Sequence, residues 1–189
     1  MAIKYESAPP MREGREYEMD LVGRPDFRPD TPQESLRCLR DPSCVENNSR
    51  LFKEFEKYYA GDPTQPKRAF LRDLRIEIID QLDLETEDEM NAVGVFPALD
   101  TTLDARGIDF FVSYLDPAKK KKIRIAGDVT TDTPLSKEER VGDPRLLNKI
   151  LIYGDVGDEC AKGDKECLEV IGRYAEKFVS SIKARQAMY

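Results

Sequence analysis

Histidine is absent from all 189 residues. Its absence excludes Ser–His and Cys–His nucleophilic catalysis, His-ligated zinc and imidazole proton shuttling, so any chemistry has to run on carboxylates, Lys, Tyr, Ser/Thr or Cys. Long apolar runs are missing too, since nothing approaches the roughly 20 residues of a membrane span, and no membrane partner is expected. The opening MAIKYESAPPMREGREYEMD has no apolar core region of a secretory signal, so the expected location is the cytoplasm, or a virion if the chain is viral. Neither a P-loop, a GxGxxG nor an internal repeat occurs. Cysteine is scarce: Cys38/Cys44 lie in CLRDPSC and Cys160/Cys167 in CAKGDKEC, and neither spacing is the C-x-x-C of a four-thiolate zinc site. Free, part-buried thiols are the first expectation and two local disulfides the second, because only an oxidising setting would favour the bridges.

What is present is charge and one clear piece of architecture. A net charge of −7 argues against a protein that coats nucleic acid over its whole surface, while leaving room for a local basic patch such as Lys119 to Lys122 followed by Arg124. That patch reads first as a solubilising hairpin tip and second as a phosphate contact. It lies in GIDFFVSYLDPAKKKKIRIAGDVTTD, where two runs of alternating aromatic and β-branched residues flank a Pro-containing turn, the pattern of a β-hairpin. With the turn centred between Ala118 and Lys119, Asp109 stands opposite Asp128. Carboxylates so opposed lie roughly 5 Å apart, and the pair destabilises a sheet unless a cation sits between them. A slip of register, leaving both aspartates solvated at the open end, is the alternative.

Around the hairpin the periodicities predict a mixed α/β domain. Residues 1–30, with Pro9, Pro10, Pro25 and Pro29 among many charges, read as an extended arm that docks on a protein partner or on its own domain. An N-terminal helical segment follows over 31–62: a short helix opened by a Thr31 capping box and stopped by Pro42, then a helix from about Ser43 to Ala60. The core domain is expected over 63–189. It begins with a helix from Gln65 to about Leu82 whose stripe of Phe70, Leu74 and Ile78 also carries Glu77, which either points to the packed side or bends outward to Arg72 or Arg75. An edge strand over Val93 to Leu99, the hairpin, one or two short crossover helices in TPLSKEERVGDPRLLNK, a buried strand ILIYG and a last helix from about Asp164 to Ala187 complete it. Leu168, Ile171, Ala175, Phe178, Val179 and Ile182 are the expected core stripe of that last helix.

Helix with Glu77, bent strand, hairpin with Asp109 in GIDFF and Asp128 in IAGDVT, crossover, buried strand and final helix form an order that resembles the PD-(D/E)XK nuclease superfamily, the restriction-endonuclease-like fold. The likeness covers about 64–189. It implies a Mg²⁺-dependent nuclease acting on or binding nucleic acid, with Asp109 and Asp128 as metal ligands and Glu77 as a further oxygen. Thr130 stands where the family usually carries lysine. Three alternatives follow: Lys122 or another lysine supplies that charge, the site works with metal alone, or the chain is an inactive nuclease retained for binding. Outside the resemblance, a non-catalytic interaction subunit, for example of a phage or other multiprotein particle with the N-terminal arm as docking element, accounts for the arm and the acidic composition.

Overall fold

The computed structural model describes residues 11–130, 149–153, 156 and 165–188. Strands β1 (Val93–Pro97), β2 (Phe110–Asp116), β3 (Lys121–Val129) and β4 (Lys149–Ile152) form one sheet in the order β1-β2-β3-β4. The hairpin β2–β3 pairs Phe110 with Gly127 and Asp116 with Lys121, the register that a turn centred between Ala118 and Lys119 dictates. Asp116 holds that turn by accepting from the backbone N–H groups of Ala118 (2.9 Å) and Lys119 (3.0 Å), the local bonding that makes Asp a turn residue. β1 joins β2 antiparallel, with Pro97 on this edge strand where its missing N–H costs no ladder bond. β4 joins β3 in parallel, which makes the sheet mixed.

Alternation along the hairpin sends side chains to both faces, and both faces are covered. On one, Phe110, Val112, Tyr114, Ile123 and Ile125 pack with Phe70, Leu74 and Ile78 of α4 (Ala69–Gln81) and with Ile171 and Phe178 of α6 (Lys165–Ala187). On the other, Phe96, Phe111 and Ala126 pack with Leu39 of α2 (Gln33–Arg40) and with Leu51 and Phe55 of α3 (Asn48–Tyr58). Phe96 and Phe111 stack with ring centroids 4.7 Å apart, and Phe55 meets Phe111 edge-on at 5.4 Å. Each fully buried ring or leucine contributes about 1.5–3 kcal/mol, so two helical layers clamp the central sheet.

Several elements depart from the expectations. The stretch read as an extended arm is helical over Met11–Leu21 (α1), and Leu21 and Val22 are buried in the core under α4. The prolines that suggested an arm flank this helix rather than interrupt it, and burial of its C-terminal end outweighs its charged composition. Thr31 caps nothing: its hydroxyl donates to the Arg28 carbonyl at 2.6 Å, and α2 starts without a side-chain cap. A capping box does occur at Thr86 and Glu89, opening the short α5 (Glu87–Asn91). Leu168 lies 41% exposed on α6, while Cys167 and Tyr174 are buried on the stripe it was assigned to. Free thiols are replaced by bridges: Cys38 and Cys44 form a disulfide that closes the α2–α3 turn, and Cys167 is disulfide-bonded as well. The expected crossover helices fall on 131–148, outside the described residues. Among the described residues no helix is long and apolar enough to cross a membrane.

Candidate functional site

Asp109 ends the approach to β2 and Asp128 is the penultimate residue of β3, so the hairpin register brings both to its open end. Asp109 is clamped by its backbone, donating to the Gly127 carbonyl at 3.0 Å and accepting from the Ala98 N–H at 2.7 Å. Its carboxylate accepts a 2.6 Å bond from the Val129 N–H and is only 3% exposed. Burial, and next the charge of Asp128, push the Asp109 carboxyl far above its ordinary range, to about 9. The Val129 hydrogen bond opposes the shift without cancelling it. A carboxyl so placed is protonated at neutral pH unless a cation takes the place of the proton.

The charges around this pair come from elements that the sequence does not single out. Asp109 feels Glu18 and Asp104 as well as Asp128. Glu18 is on α1 and is itself raised, first by burial and then, against the pull of Arg15, by Asp104 and Asp128. Arg15 binds Glu18 at 2.8 Å, Asp104 at 2.8 Å and Asp100, holding α1 against the loop between β1 and β2. Lys149, the first residue of β4, donates from Nζ to the Arg106 carbonyl at 2.7 Å. A Cβ on Gly107 would lie 2.7 Å from that ammonium and 3.7 Å from Asp128 Oδ2, so the lysine and the aspartate share the space above this glycine.

The remaining expected site residues are placed elsewhere. Glu77 Oε2 lies 3.6 Å from where a Cβ on Gly172 would stand, so Glu77 faces α6. The reason is alternation: α4 packs on the Phe110 face, whereas Asp128 shares the side of Ala126 and the α2–α3 layer. Lys122 pairs with Leu115 near the closed end, roughly 20 Å of strand from Asp128 at about 3.3 Å per residue. Its Nζ binds Glu56 of α3 at 3.0 Å, and Arg124 grips the same carboxylate at 2.8 Å. The lysine run is therefore not beside the aspartates. Thr130 does lie at the open end, buried, with its N–H donating to the Ile152 carbonyl at 2.8 Å.

The donor set is all oxygen, which suits a hard cation and not zinc. Among the described residues no cluster of three or more acidic or sulfur side chains is arranged to hold a metal ion. Magnesium does not need one, since it is commonly held by one or two carboxylates and keeps water and substrate phosphate as its other ligands. Glu18 and Lys149 escape sequence reading because nothing local marks them: one sits in a charged helix that looks like an arm, the other at the edge of an apolar run. Against family models, curated proteins and solved structures, the chain has no match.

Proposed function

We propose that the chain is a Mg²⁺-dependent nuclease-like protein acting on nucleic-acid phosphodiesters at the open end of the hairpin. The observation that carries this reading is the buried Asp109 carboxyl held beside Asp128, two acids from separate strands whose mutual repulsion a shared cation would relieve. Asp109 and Asp128 would hold the ion. When bound there, it supplies charge neutralisation at the phosphoryl oxygens and lowers the pKa of a water. Hydrolysis adds the water oxygen to phosphorus and breaks one P–O bond, with the departing oxygen taking up a proton.

The chain's own groups support the rest. Lys149 brings a positive charge from β4 to the side of Asp128, the task the resemblance gives to a lysine at the place of Thr130. Glu18 of α1 adds to the negative charge that Asp109 feels, without taking the ligand position that sequence reading gave to Glu77. Val129 holds Asp109 in one orientation through its N–H, which spares the site that reorganisation when a substrate arrives.

Incubation with supercoiled plasmid and with single-stranded DNA, in Mg²⁺ or Mn²⁺, tests the reading. The expected result is metal-dependent cleavage of at least one substrate, reduced 100-fold or more, on the order of a general acid–base or electrostatic contribution, by Asp109→Asn and Asp128→Asn. Cation binding without cleavage would favour the second reading, a binding subunit in which Thr130 marks a lost activity.

A further inference from the structure

A cavity of about 310 Å³ opens beside the β1 edge, with Arg24, Lys67 and Arg68 around it and Tyr59, Leu71 and Pro97 among its walls. That volume is at the lower end of the roughly 300–1,000 Å³ of small-molecule sites. Tyr59 is 7% exposed, its ring packed against Phe55 and Phe96. Its hydroxyl lines the cavity over Gly61, where any side chain would collide with it. Among the described residues that hydroxyl has no hydrogen-bond partner. Burial, and then Asp26 and Asp62, push it up to about 12, so at neutral pH it is a protonated donor that opens on the cavity.

The charges at the mouth specify the kind of acceptor this donor suits. Arg68 Nε lies 2.9 Å from where a Cβ on Gly23 would stand, and Gly23 at φ +74 is both the conformation and the opening that let the guanidinium in. Among the described residues Arg68 has no ion-pair partner. Lys67 meets only the exposed Asp26, at 3.4 Å, and a pair so solvated holds it weakly. Arg24 pairs with Asp100, which pairs with Arg15, the residue that holds Glu18 and Asp104. Pro97 in the cavity wall is the strand partner of Phe110, the residue after Asp109. The cavity is thus linked to the aspartate site, across β1, by the Arg24–Asp100–Arg15 ion pairs, is cationic where that site is acidic, and is apolar at Leu71 and Pro97.

We propose that this cavity is a phosphate subsite that receives another nucleotide of a strand held at Asp109 and Asp128, with Arg24, Lys67 and Arg68 on the phosphate oxygens and the Tyr59 hydroxyl donating to the same group. The assignment to a strand rests on the nuclease reading. Binding in the cavity itself needs no metal, and this separates the two in experiment.

The test is fluorescence anisotropy of a labelled 12-nucleotide single-stranded DNA with the full chain in EDTA at several salt concentrations, with thymidine 5′-monophosphate and inorganic phosphate as competitors. Arg68→Ala is expected to weaken oligonucleotide binding roughly tenfold and to reduce the slope of log K against log salt by about 0.7, one single-strand phosphate contact. Tyr59→Phe, which keeps the buried ring, is expected to weaken binding several-fold. Wild-type affinity and salt slope in both variants would overturn the proposal, as would no oligonucleotide binding by the wild type. Binding of the mononucleotide without the oligonucleotide would place a free nucleotide here and overturn the strand assignment. Arg68-dependent oligonucleotide binding with no Mg²⁺-induced thermal shift would uphold the cavity and end the metal reading.

Discussion

Asp109 carries a buried carboxyl, and that burial gives a pH dependence of definite sign. Its folded pKa, near 9, lies above the ordinary carboxylate value, so between the two the folded state holds a proton that the unfolded state has lost. The stability this group contributes is fully present below about pH 4 and is lost as pH rises through about 9. In EDTA, denaturant melts between pH 6 and 9 should fall in stability by up to about 1.4 kcal/mol per pH unit. Asp109→Asn should flatten this slope while still accepting from Val129, whereas Asp109→Ala should cost a further 1–3 kcal/mol or so by leaving that N–H unpaired. A wild-type slope identical to that of Asp109→Asn would show that the carboxyl is ionised. At Gly107, φ is +69 and a Cβ would press on the Lys149 ammonium, so Gly107→Ala should cost about 1 kcal/mol or more and displace the lysine. The two aspartates are legible from sequence because one local hairpin fixes their relation. Glu18 and Lys149 are not, since only the packing of distant elements brings them near.

Among the elements, the hairpin and α1 stand at opposite ends of legibility. Alternating aromatic and β-branched residues with a Pro-containing turn leave β2 and β3 few alternatives, and Phe110, Val112, Ile123 and Ile125 are all buried as the alternation requires. α1 is short and charged, with prolines on both sides, and only Leu21 and the residues beside it reveal its packed side. Its place in the fold is testable by hydrogen exchange: amides of residues 15–22 should be protected in the isolated protein, and Leu21→Ala should cost about 2–5 kcal/mol as a buried truncation. Rapid exchange there would detach α1, and Glu18 with it, from the site. The Cys38–Cys44 bridge spans six positions and constrains the unfolded chain across the α2–α3 turn. Chain-entropy reasoning gives it about 2 kcal/mol, so Cys44→Ser should lower stability by about that amount in a denaturant melt.

At the scale of the whole molecule, a mixed sheet clamped between two helical layers brings Asp109 and Asp128 to one end of its central hairpin, near Glu18 and Asp104. Under the proposed function a cation exchanges for the Asp109 proton. Isothermal titration of Mg²⁺ at pH 7 to 8, repeated in buffers of different ionisation enthalpy, measures that exchange directly. Such an exchange requires saturable binding with release of close to one proton per ion, since Asp109 must ionise to coordinate, and loss of both heat and proton release in Asp109→Asn. Absence of binding by Mg²⁺, Mn²⁺ and Ca²⁺ alike, or binding that persists unchanged in Asp109→Asn, would contradict it.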